Sequence, residues 1–336
     1  MTATTPTPPR SLLSHRSVWL GAALWIGMFA ATIWISGGYL PFDRPALADK
    51  PFAFQMAIPV VGLIEIFALM AMVWALTRNR PPVDMAARSP DRRRAGVETA
   101  GLLAYAMLGQ VGGWIAGPAM GYRPFSFHLA GTLFGCSIPA SPGEAILWSG
   151  YNFIVFAVLP LIWFRRRYKA VDLNLVSTNR GNDLMVILAV MVVESVVEIA
   201  ASPGVLSMTP QSFLMAAPIA FGVFFFGTVL PTMVLIYAIL LPRYARLTGS
   251  FPATVILGGL TYGLMHLVEG WSSFANPRDV ALSLIFVFLN YMGPGMFKSL
   301  VTLRTGNAWV HAVGYHAVAP HVVVDTPMIA KVFGIG

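Results

Sequence analysis

Long apolar runs almost free of charge constrain this chain more than any other feature. The stretch 212–241 holds no charged residue, and 54–77 holds only Glu65. Each exceeds the roughly 20 residues that carry an α-helix across a bilayer. Hydrophobic residues make up 57% of the chain and charged residues 11%, more apolar surface than a soluble fold can bury. The expected fold class is therefore all-α, a polytopic membrane helical bundle. Apolar runs predict about nine transmembrane helices, at 17–37, 54–77, 96–119, 146–164, 183–201, 212–241, 251–269, 279–299 and 308–325. The span 212–241 is long enough to tilt, and its alternative is two shorter segments broken at Pro231.

The net charge of +8 does not point to a nucleic-acid partner, because the basic residues sit between apolar spans, where they set topology. Arg10 and Arg16 precede the first span. Arg78, Arg80, Arg88, Arg92, Arg93 and Arg94 fill one loop, and Arg165, Arg166, Arg167, Lys169 and Arg180 fill another. Arg243, Arg246 and Arg304 mark later loops of the same side. The alternation predicts the N-terminus inside and the C-terminus outside.

Residues 1–16 read as a disordered tail before an uncleaved signal anchor. Ala46-Leu47-Ala48 imitates a cleavage site, but the preceding apolar run is too long for a secretory h-region. The basic loop 78–95 reads as a solvated, lipid-facing connector and the best internal boundary. The stretch 120–145, apolar yet containing Gly131, Gly135, Cys136, Pro139 and Pro142, reads as a re-entrant or interfacial loop. Cys136 is the single cysteine, so a metal site would have to use His and carboxylate ligands.

Titratable side chains at bilayer depth are expensive and invite a functional explanation. They are Glu65, Glu194, Glu198, His266, Glu269, His311, His316 and His321, with Asn290 in the eighth span, and no basic side chain lies at their depth. At 1.5 Å per residue, Glu198, His266 and His321 lie roughly 20 Å up from the inner ends of their spans, and Glu194 and His316 roughly 12–17 Å. Glu194 and Glu198 share a helix face, as do His266 and Glu269. His311, His316 and His321 step by five and cannot all point one way on an ideal helix. Gly314 and Pro320 offer a bend that joins two of them. His311, the least well placed, reads as hydrogen-bonded to a neighbouring helix. Lys298, near the inner end of its span, reads as snorkelling to the headgroups. Gly293-Pro294-Gly295 reads as a kink or cavity lining.

From about 165 to 325 the order of features resembles the CAAX-protease and bacteriocin-processing family of intramembrane endopeptidases. The resemblance rests on Phe164-Arg165-Arg166-Arg167 through Leu175, on Leu240-Leu241-Pro242-Arg243-Tyr244, on Tyr262-Gly263-Leu264-Met265-His266, and on Thr305-Gly306-Asn307-Ala308-Trp309 leading into His316. It divides the chain into the tail 1–16, an N-terminal four-helix membrane region 17–164 and a CAAX-protease-like domain 165–336. The resemblance implies that an acid pair activates water while histidines position it or stabilise an oxyanion. Here the family's Phe-x-x-x-His motif stands as Tyr262-x-x-x-His266. Its last motif falls on His316, with Pro320 four residues on, or on His321, with Asp325 there. The acid pair is replaced by Thr232 and Met233, and Tyr237 stands where the family has Arg.

Three functional readings follow. In the first, Glu194, Glu198, His266, His316 and His321 form a catalytic group around an activated water, with or without a bound zinc or iron, that cleaves a membrane-associated peptide or protein in or beside the bilayer. The second is a non-catalytic relative acting as a membrane chaperone or assembly factor. The third is another metalloenzyme, with zinc or iron held by Glu198, His266, Glu269 and His321. All three place the chain among membrane lipids, in a bacterial cytoplasmic membrane, and leave its oligomeric state open.

Overall fold

The computed structural model describes residues 12–44, 47–128 and 141–335. Among these the architecture is all-helical. The helices are α1 (Arg16–Ser36), α2 (Phe52–Leu76), α3 (Arg92–Ala119), α4 (Pro142–Arg165), α5 (Arg180–Ala201), α6 (Pro210–Thr248), α7 (Phe251–Met265) and α8 (Pro277–Thr305). A segmented helical stretch, 309–332, closes the chain.

Local chemistry fixes most helix starts. The side chains of Asp91, Ser141, Asn179, Thr209, Ser250 and Asn276 each accept a first-turn N–H from α3 to α8 in order. Four of these helices carry Pro in their first turn, where its missing N–H costs nothing and its fixed φ is already helical. Gly249 and Gly306 stop α6 and α8 in the left-handed region at φ 59° and 65°.

Six helices, α1, α2, α4, α5, α6 and α8, are long and apolar enough to cross a membrane. The other three expected spans have different forms. α3 has the length, 28 residues, but glycines and Gln110 dilute its apolar run. α7 has 15 residues, about 22 Å of helix against a hydrocarbon core of about 30 Å. The stretch 309–332 is divided into short turns.

α6 is the axis of the bundle. Its apolar window is 89% buried, against 11% for α1 and 17% for α5, which present their side chains outward to lipid. The expected alternative break at Pro231 is absent. Pro231 cannot donate to the carbonyl of Gly227 four residues earlier, and Asn152 of α4 donates its amide to that carbonyl instead, at 2.8 Å. The helix continues by widening to i+5 hydrogen bonding at Phe225–Val229 and Met233–Leu240. It also runs through the expected loop 242–250 as far as Thr248.

The basic residues are more deeply engaged than a solvated connector requires. Arg80, 9% exposed, pairs with Asp183 and bonds Asn182, Thr178 and the Thr305 carbonyl. Arg88 donates to Asn174 and to the Gly306 carbonyl. Burial lowers the pKa of its guanidinium, with Asp172 opposing. The segment read as an internal boundary is thus tied to the ends of α5 and α8. Arg243, read as a loop charge, is fully buried. It pairs with Glu98 of α3 and lies 4.7 Å from both the Phe164 and Tyr168 rings. Burial, then the hydrogen bond to Glu98, raise the Tyr168 phenol's pKa.

Glycines bring backbones together around the core. A Cβ on Gly295 of α8 would lie 2.8 Å from the Cα of Gly259 of α7. Gly293-Pro294-Gly295 therefore serves a close helix crossing, and α8 passes through it unbroken.

Candidate active site at the histidine cluster

Five of the six histidines, all except His15, gather around the C-terminal half of α7 and the stretch 309–332. Three supports bring them together. The first is the loop 120–128, buried at Phe125, Ser126 and Phe127. Gly113 and Gly117 of α3 leave room for the carbonyls of Phe125 and Arg123, which a Cβ would approach to 2.4 and 2.2 Å. Trp148 and Asn152 of α4 donate to the Phe127 carbonyl at 3.1 and 2.6 Å. Ser126 donates to the carbonyl of Val268 just after α7, at 2.8 Å. Phe125, Ser126 and Phe127 of the expected re-entrant stretch are thus buried in protein, whereas Met120, Gly121, Arg123 and Pro124 are exposed. Gly131, Gly135, Cys136 and Pro139 lie outside the described residues. At the end of this loop His128 Nδ1 is 2.9 Å from Glu269 Oε2, and its ring centroid is 5.1 Å from that of His266.

The second support is α7. Its C-terminal turn places His266 Nδ1 2.7 Å from the carbonyl of Tyr262. A carbonyl only accepts, so Nδ1 carries the proton and Nε2 the lone pair. Tyr291 of α8 stacks on the His266 ring at 4.2 Å and hydrogen-bonds Glu269.

The third is the stretch 309–332, which runs through two i+5 segments, Ala312–Ala317 and Ala319–Val324. Such a helix turns less per residue than an α-helix, so residues five apart lie closer to one face, and the His316 and His321 rings come to 5.2 Å. The expected pairing of two of the three histidines is present, produced by the wider helix. His316 has two hydroxyl neighbours, with Nδ1 3.4 Å from Thr232 Oγ1 and Nε2 3.3 Å from Tyr262 Oη. Thr232 donates its own proton to the Thr228 carbonyl at 2.6 Å. Its oxygen therefore accepts from Nδ1, leaving Nε2 to accept from Tyr262. His321 Nδ1 is 2.8 Å from Asp325 Oδ2, its ring stacks on Phe224 at 4.5 Å, and its buried Nε2 has no partner.

His311 is the exception. Rather than bonding a neighbouring helix, it packs edge-on to Tyr237 at 4.3 Å, with neither ring nitrogen partnered.

The carboxylates fall into two groups. Glu269 and Asp325 touch the histidines directly. Glu65 and Glu194 hydrogen-bond each other across α2 and α5, and Glu198 interacts with Glu65 and Asp325. Between the groups lies Lys298. It is 1% exposed and does not snorkel. Its ammonium stands 3.6 Å from the Tyr262 ring centroid and 5.5 Å from that of Tyr315, and Glu194 is its electrostatic counterpart. A basic side chain thus stands at the centre of the titratable groups, where none was expected. Depth was the signal available: Lys298 lies seven residues from the end of α8, roughly 10 Å along its axis, beyond easy reach of the headgroups. His128 escaped because depth arithmetic applies only to helices.

Among the described residues no three His, Cys, Asp or Glu side chains are arranged to hold a metal ion. Of the four expected ligands, Glu269 is engaged with His128, and Glu198 sits with the acidic pair. Compared with protein families, with curated proteins and with solved structures, the chain finds no match in any of the three.

Proposed function

We propose that the chain is an intramembrane hydrolase, cleaving a peptide bond in or beside the bilayer, with its centre at His266, His316 and His321. One observation carries this reading. Thr232, which stands where the family has its acid pair, Tyr262 of the Tyr262-x-x-x-His266 motif and His316 join in one hydrogen-bonded chain. In this mechanism His321, oriented by Asp325, uses its free Nε2 to take a proton from water as the water oxygen attacks the scissile carbonyl carbon. The same nitrogen returns that proton to the leaving amine as the C–N bond breaks. Lys298, 3.6 Å from the Tyr262 ring centroid, offers its N–H donors to the developing oxyanion, while the Tyr262 hydroxyl holds His316. Glu269 and Asp325 take the carboxylate roles beside the histidines, and Glu194 stays hydrogen-bonded to Glu65 near Lys298.

Peptide cleavage by the chain in lipid nanodiscs tests this. His316→Ala and His321→Ala should abolish cleavage, while the Glu194/Glu198 double Ala variant should retain part of it. Loss in the double variant with survival in His321→Ala would return the base to the α5 carboxylates. No cleavage by the unaltered chain on any membrane peptide would favour the non-catalytic reading.

A metal-dependent form of the same reading has one observation in its favour. His128, His266 and His321 each commit Nδ1 to an oxygen and leave Nε2 toward a ligand, as metal-bound imidazoles do. Zinc and iron content of the purified chain decides it.

The reading includes nine crossings in a bacterial cytoplasmic membrane, with α3, α7 and 309–332 adding to the six long apolar helices. The N-terminus and the arginine-rich loops lie inside and the C-terminus outside. In a Cys136→Ser background, Arg166→Cys should be shielded from an impermeant thiol reagent and Lys50→Cys labelled. The reverse pattern would reject this orientation.

A further inference from the structure

The turn between α1 and α2 encloses a polar cavity of about 220 Å³, room for several waters at about 30 Å³ each or for one phosphate-sized anion. Among its described lining residues are Tyr39, Phe42, Arg44, Lys50 and Gln55, and none is acidic. Arg44 is 3% exposed. Its guanidinium is held in place by the Phe42 and Phe286 rings, each at 4.9 Å, and by Nη2 donating to Gln55 Oε1 at 2.7 Å. Gln55 is itself fixed by donating its amide to the Lys50 carbonyl at 3.0 Å. Lys50 stands exposed at the rim. Asp43 and Asp49, the neighbouring acids, are exposed and do not line the cavity.

We propose that this cavity is a phosphate-binding site, with Arg44 as its fixed donor and Lys50 closing the rim. A planar guanidinium held by stacking and by a side-chain amide suits a phosphate oxygen pair, and a flexible ammonium at the mouth adds charge without rigid geometry. α1 and α2 are both membrane-spanning in length, so their connecting turn falls at headgroup level. A lipid phosphodiester and free phosphate share the required chemistry. The site also bears on the histidine cluster. Phe42 packs on Trp271 at 4.8 Å, and the Asp43 N–H donates to the Trp271 carbonyl at 3.0 Å. An anion held by Arg44 therefore steadies the loop that carries Glu269.

The test is ligand binding by the full chain in neutral detergent, read by native mass spectrometry. The probes are dioctanoyl-phosphatidylglycerol, inorganic phosphate and dioctanoylglycerol. The phospholipid should bind saturably and dioctanoylglycerol should not. Arg44→Gln should weaken binding about tenfold or more, as loss of a charged hydrogen bond does. Lys50→Glu, at an exposed position that folding tolerates, should weaken it comparably, so the idea stays testable if Arg44→Gln fails to fold. Competition by inorganic phosphate supports the site and identifies the phosphate as the recognised group. Inorganic phosphate binding as well as the phospholipid supports a free-anion source. Equal binding of dioctanoylglycerol and phospholipid, or no effect of Lys50→Glu, would overturn the proposal.

Discussion

Replacing Arg243 with Leu removes a fully buried guanidinium that ties α6 to α3, and the structure sets the size of the effect. Three interactions disappear together. The ion pair with Glu98 has Nε at 2.9 Å from Oε2, and a hydrogen bond to a charged group contributes about 1.5–3 kcal/mol. The contacts with the Phe164 and Tyr168 rings, both at 4.7 Å, add about 1–2 kcal/mol together. The Ile239 carbonyl loses the Nη1 donor that reaches it at 2.7 Å. Glu98 is not left bare, because the Tyr168 hydroxyl at 2.7 Å and Arg94 Nε at 3.0 Å still donate to it. That places the loss at about 3–4 kcal/mol, within the range found when one partner of a buried pair is removed. A double-mutant cycle with Glu98→Gln isolates the pair and should give about 1.5–3 kcal/mol of coupling. The assay is reversible unfolding in mixed micelles against rising sodium dodecyl sulfate, followed by circular dichroism. Arg166→Leu, at an exposed position, serves as the control and should change stability by less than about 0.5 kcal/mol. An Arg243→Leu loss no larger than that of the control, or coupling below about 0.5 kcal/mol, would refute the reasoning.

Three other outcomes are expected. Gly113→Ala should destabilise by about 1–3 kcal/mol, since its Cβ would meet a backbone carbonyl, whereas Gly101→Ala, with open space around it, should be neutral or stabilising in the same unfolding assay. An impermeant amine-reactive reagent should modify Lys50 and spare Lys298 in the folded chain, with peptide mass mapping as the readout; labelling of Lys298 would contradict its burial. His311→Phe should raise stability by about 1–2 kcal/mol, because it replaces two unpartnered buried nitrogens with carbon. It should leave cleavage intact, and a fall in melting temperature would mean that His311 has a polar partner.

Linear features of the chain fixed its class and the location of most of its helices. Uncharged apolar runs can satisfy their backbone in lipid only as helices, and Ser-Pro, Thr-Pro and Asn-Pro steps mark where α4, α6 and α8 begin. Depth also singled out Glu198, His266 and His321, with Glu194 and His316 just below, because a titratable group in hydrocarbon is costly wherever it points. Pairing was a different matter, since it depends on direction and on what the facing helix offers. Pro231 reads locally as a break, and only the Asn152 amide from another helix lets α6 pass through it. His316 and His321 read as divergent on an ideal helix, and only the widened turn brings their rings together. Lys298 and Arg243 read as interfacial charges. Tyrosine faces and a carboxylate from distant parts of the chain hold them inside, and partners so far apart in sequence are brought together only by the packed bundle.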